Sequence, residues 1–160
     1  MPQLHGLKGY GEGREVVVVS VHASDVAKYI LQDHGPMSTM KLQKLVYYCQ
    51  AYQVAWTGKP MFREAVRAWT HGPVIYELFS QHRGMFEVAV DDIDGDADAL
   101  DDDMELVVGA VTDALNELTG WELRNRTHDE GPWRDAFDPE EPRHNQEITL
   151  DAMRDYYSSR

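Results

Sequence analysis

The chain has 160 residues, 42% of them hydrophobic and 27% charged. That is long enough for one real core and too apolar for wholesale disorder. Fifteen Lys and Arg against twenty-eight Asp and Glu leave a formal net charge of −13, which argues against gripping nucleic acid by its phosphates and favours basic partners. The single cysteine, Cys49, excludes an internal disulfide and a Cys-rich metal pattern. Apolar runs such as Val16 to Val19 are far below the roughly 18 residues of a membrane span, and the N-terminus lacks the basic and apolar regions of a signal peptide. These features read as a cytoplasmic protein with no membrane partner.

In chain order, residues 1–23 form a glycine-rich lead-in, within which the β-branched stretch 15–21 reads as a short strand. Ser24 caps a first predicted helix carrying Val26, Ala27, Ile30 and Leu31, closed by Gly35 and Pro36. Ser38 or Thr39 caps a longer helix to about Thr57. There Leu42, Leu45, Val46, Cys49, Tyr52, Gln53 and Trp56 repeat at helical spacing. Pro73 is placed as the first residue of a short helix ending at Gly84. Residues 87–105 hold ten acids and no base, and 87–103 reads as a solvated loop. A helix through Val107, Val108, Val111 and Leu115 follows, with Asp101, Asp102 and Asp103 at its positive end. Thr119 and Glu122 are spaced as a capping box. Pro132, Pro139 and Pro142 break the next stretch, and Thr149 caps a last helix. The expectation is a mainly α, compact single domain of about six helices over residues 24–160.

No pattern calls for a catalytic group, cofactor or metal. Asp94, Asp96, Asp98 and Glu105 have the spacing of a calcium loop, but Ala99 stands where the sharp turn demands glycine. Cys49 lies on an apolar stripe, where a thiol is inert, and no orienting acid accompanies His71 and His128 at a motif-like spacing. The unusual feature is a repeated punctuation, Trp69-Thr70-His71-Gly72-Pro73 and Thr127-His128-Asp129-Glu130-Gly131-Pro132-Trp133. It reads as indoles filling the core beside two turns, with each imidazole bonded to backbone at a helix start.

The blocks Met40 to Tyr52, Gly58 to Phe62, Ala68-Trp69, His71 to Val74 and Glu77-Leu78, continued at Leu118, Leu123, Thr127-His128, Pro132-Trp133 and Ile148, resemble the Panacea domain. This is the family of SocA-like antitoxins, also known as phage-associated GepA-like proteins, and the resemblance spans roughly residues 24–157. It implies the antitoxin of a bacterial or phage toxin–antitoxin system, a protein that binds and neutralises a cognate toxin and is not an enzyme. The alternative it carries is an adaptor delivering the toxin to a bacterial protease; an enzyme or a DNA-binding regulator is less favoured. In this reading Leu42, Leu45, Trp69, His71, Gly72, Pro73, Thr127, His128, Pro132 and Trp133 define the fold. Lys41, Lys44, Tyr47, Tyr48 and Gln50, expected off the apolar stripe, are candidate toxin contacts, as are Asp101, Asp102 and Asp103 if the toxin is basic.

Overall fold

The computed structural model describes residues 19–141 and 145–160. Seven helices and five short strands occur among them: α1 (Ala23–His34), β1 (Met37–Ser38), α2 (Thr39–Thr57), β2 (Val66–Trp69), β3 (Gly72–Val74), α3 (Tyr76–His82), β4 (Glu87–Val88), α4 (Asp102–Leu115), α5 (Gly120–His128), α6 (Gly131–Ala136), β5 (Glu147–Ile148) and α7 (Leu150–Tyr157). The fold is mainly α, with one helix more than expected because Pro132 opens α6 from its first turn instead of breaking the chain.

The centre of the domain is α2, which packs against α1, α4, α5 and α7. Ser38 caps it by accepting from the Lys41 N–H at 3.1 Å. Gly58, at φ 78°, ends it in the left-handed conformation that a glycine adopts without strain. The helix is buried around its circumference, not along one stripe, and its polar side chains serve the irregular backbone packed against it. The Gln50 amide oxygen accepts from Met61 N–H at 2.7 Å while its nitrogen donates to the Phe62 carbonyl at 2.9 Å. Gln43 does the same at Ile75, accepting its N–H at 2.9 Å, and donates to Nε2 of His82 at 2.9 Å. Burial pushes the His82 pKa down, which keeps that nitrogen an acceptor.

Residues 15–18 of the expected strand lie outside the described residues, and 19–21 are not in a strand. The strands lie elsewhere. β2 pairs antiparallel with β3 (Ala68 opposite Pro73) and with β5 (Val66 opposite Ile148), and β1 pairs with β4. Pro73 therefore belongs to an edge strand, where its missing N–H costs no ladder bond, and α3 begins three residues later.

The first helix starts one residue before the expected cap. His22 is its N-cap, and the Glu64 carboxylate accepts from Ala23 N–H at 2.8 Å and meets His22 Nδ1 at 2.6 Å. The acidic stretch is not a fully solvated loop. Ile93, Ala97 and Leu100 are buried, Lys28 Nζ donates to the carbonyls of Val90 and Ile93, both at 2.9 Å, and Asp25 Oδ1 accepts from Asp96 N–H at 2.8 Å. A Cβ on Gly95 would stand 2.5 Å from the Ser24 carbonyl oxygen. The segment is clamped onto α1 through backbone, which leaves most of its carboxylates facing water.

Candidate functional site

The two aromatic and Gly-Pro turns meet around Lys44. This side chain leaves the second turn of α2, is 2% exposed, and donates to the Pro73 carbonyl at 3.2 Å. Burial, followed by the nearby Arg124 guanidinium, pushes its pKa down to about 7. Gly72 lies against it at φ 110°. A Cβ there would come within 2.6 Å of Lys44 Cε and 3.1 Å of Thr127 Oγ1. Glycine is thus required both by the backbone conformation and by the close approach of the lysine.

Thr127 is fully buried and donates through its hydroxyl to the Arg124 carbonyl at 2.7 Å. The His128 ring stacks on Trp133 with centroids 3.6 Å apart, and Trp133 Nε1 donates to the Trp69 carbonyl at 2.8 Å, which ties the second turn to the first. Trp69 in turn donates to Asn145 Oδ1 at 2.7 Å. The expectation that both imidazoles bond to backbone does not hold. His71 is exposed with its ring 6.4 Å from Trp121, and Nε2 of His128 has no hydrogen-bond partner among the described residues. Burial, then the positive charges of Arg124, Lys44 and His71, push the His128 pKa down to about 4, so it is a neutral ring used for stacking.

A second buried network lies one turn further along the same side of α2. Tyr48 and Tyr157 both donate to Glu130 Oε1, at 2.6 and 2.7 Å, and the hydroxyls of Tyr47 and Tyr157 meet at 3.0 Å. Burial first, with the neighbouring carboxylate, raises the Tyr48 pKa, so the phenols stay protonated donors. Arg126 Nε completes the cluster 3.6 Å from Glu130 Oε2. Glu130 was not singled out within its turn by sequence, because nothing local distinguishes it from the surface acids around it.

These placements revise the expected contact face. Lys44, Tyr47, Tyr48 and Gln50 are each 2% exposed or less. They hold α2 to its neighbours and are not an exposed surface. Lys41 is half-buried and its ammonium donates to the Asn116 carbonyl. Asp101 and Asp102 are exposed and Asp103 half-buried; Asp101 caps α4 by accepting from Met104 N–H at 2.8 Å. The scarcity of charge on α2, where Lys41 and Lys44 are the only charged residues in nineteen, was the available signal that the helix is buried all round. Cys49 is fully buried and burial raises its thiol pKa, so it stays the inert thiol its position implied.

The residues around Lys44 lie within the match to a family model. That model, the SocA-like antitoxin or Panacea domain, matches residues 42–134, more than half of the chain. The chain belongs to this antitoxin family. No curated protein and no solved structure matches it. The match runs from the first turns of α2 into α6, so the Panacea region contains the Lys44 cluster and Glu130. The helices α1 and α7 pack on α2 from outside the matched segment. No helix among the described residues is long and apolar enough to cross a membrane.

Proposed function

We propose that this Panacea domain is a cytoplasmic antitoxin that neutralises a cognate protein toxin by forming a complex with it. Family membership over residues 42–134 carries the reading. The packed centre around Lys44 and Glu130 agrees with it, since Lys44, Tyr48, Tyr157 and Glu130 are spent on holding helices together. The contact surface belongs to exposed groups instead, and the acidic segment with Asp101, Asp102 and Asp103 suits a basic toxin by raising its encounter rate.

The test is co-expression with the product of the neighbouring gene. Growth rescue with a co-purifying complex is the expected result; rescue with progressive loss of the toxin in a protease-dependent chase would replace neutralisation by proteolytic delivery, and absence of rescue would end the antitoxin reading for that pair. Steering is tested separately with Asp101→Asn, Asp102→Asn and Asp103→Asn combined. Asparagine at 101 keeps the cap on α4, and a thermal melt checks that the triple variant folds. Association should slow and lose salt dependence, and an unchanged rate would sink the steering role.

A further inference from the structure

Between α2 and α4 lies an apolar cavity of about 240 Å³, lined by Tyr52, Trp56, Ala110, Ala114, Leu115 and Arg126. Trp56 in its lining is 52% exposed, and Leu106, one turn before Ala110 on α4, is 72% exposed. Leu106, Ala110 and Ala114 follow one another at i, i+4 on α4, so an exposed apolar face of that helix runs on from the cavity. Exposed Asp102, Asp113 and Glu117 border that face. The one cation lining the cavity among the described residues, Arg126, is already engaged with Glu130 at 3.6 Å and lies over the Tyr48 ring at 5.8 Å. The result is an apolar slot with an acidic border.

We infer that this slot docks a cationic amphipathic helix of the partner, with its apolar side against Trp56 and the Ala110 face and its Lys or Arg residues toward Asp113 and Glu117. This rests on the antitoxin reading and names the part of the toxin that would be held. A helix laid into an apolar groove needs spaced apolar anchors and a matching charge at the border. Exposed tryptophan at such a groove is the residue type that carries binding energy. A second copy of this chain fits poorly, because two such faces would bring Asp113 and Glu117 against their own equivalents.

The experiment titrates the full chain with a labelled model helix of Leu and Lys, and with its Leu and Glu counterpart, by fluorescence anisotropy at about 0.15 M salt. The Leu/Lys helix should bind and the Leu/Glu helix should not. Trp56→Ala and Ala110→Arg should each weaken binding roughly tenfold or more, with thermal melts confirming that both variants fold. Asp113→Asn with Glu117→Gln should weaken it and reduce its salt dependence, whereas Asp135→Asn with Glu140→Gln, exposed residues outside the acidic segment and remote in sequence from the slot, should leave it unchanged. Equal binding of both helices, or indifference to Ala110→Arg, overturns the proposal, as does a wild-type dimer that Ala110→Arg dissolves. The two readings separate at the toxin. If Ala110→Arg still forms the complex and rescues growth as the wild type does, the slot is wrong and the antitoxin stands. If the wild type binds the cationic helix at the slot yet never protects against the neighbouring product, the slot stands and the antitoxin reading falls.

Discussion

Replacing Lys44 by methionine tests whether a charge is being held at the centre of the domain. The lysine has a pKa of about 7 in the folded chain against 10.5 for the free side chain. Between those values the unfolded chain carries a proton that the native chain does not, so stability rises with pH. The gain is complete above the unfolded value and is lost as the pH falls through about 7. From about pH 6.5 to about pH 9 the difference amounts to slightly under two pH units of proton uptake, or about 2.5 kcal/mol at about 1.4 kcal/mol per unit. For a domain of this size that is a rise of about 5–10 °C in Tm. Methionine keeps most of the side-chain volume, removes the ionisation and gives up the bond to the Pro73 carbonyl, worth about 1 kcal/mol. Lys44→Met should therefore lose most of the pH dependence and melt no lower than the wild type near pH 6.5. Thermal melts by circular dichroism across that range provide the measurement. Equal slopes for the two proteins would refute the reasoning, because they would mean that Lys44 keeps an ordinary pKa through hydration or a partner.

Gly72→Ala should cost about 2 kcal/mol or more, from the positive φ and the collision with Lys44 Cε. The cost should shrink in a Lys44→Ala background, which a double-mutant cycle of melting curves would show. Glu130→Ala should destabilise by roughly 3 kcal/mol by leaving the Tyr48 and Tyr157 hydroxyls without their shared acceptor; Glu130→Gln, which restores an acceptor, should cost less, and equal losses would assign the effect to packing. Asp101→Ala should cost about 1 kcal/mol and Asp101→Asn almost nothing, the signature of an N-cap.

Long helices with defined ends were legible in the sequence because their termination is local chemistry. Ser38, Gly58, Thr119 and Glu122 do in the structure what their positions imply, with Thr119 Oγ1 accepting from Glu122 N–H at 3.1 Å and the Glu122 carboxylate accepting from Thr119 N–H at 2.9 Å. The strands were not legible. At two to four residues each they are too short to display alternation, and Pro73 before a helical run looks like a helix start whether or not the preceding residues pair with β2. The contact face was misplaced for a related reason. Apolar spacing identifies one side of a helix that must be buried, but it does not show that the other side is free. Lys44, Tyr47, Tyr48 and Gln50 lie on other faces of α2, yet β3, α5, α7 and the 58–65 connection cover them.

The corrected placement changes what the net charge of −13 means. Residues 24–86 carry seven bases against four acids, but the bases include Lys44, whose charge is buried and discouraged, and Lys28, whose ammonium is held by the carbonyls of Val90 and Ile93. The acids of the 87–105 stretch are held the other way round. Their backbone and the apolar Ile93, Ala97 and Leu100 face inward while Asp91, Asp92, Asp94, Asp98, Asp101 and Asp102 face solvent. Outside, the potential is therefore more one-sided than a residue count over the two segments indicates. It is also anchored, since Gly95 lies against Ser24 and Asp25 holds Asp96. An array fixed on α1 and running into the cap of α4 presents its field in one direction, whereas the same carboxylates on a loose tail would average it away.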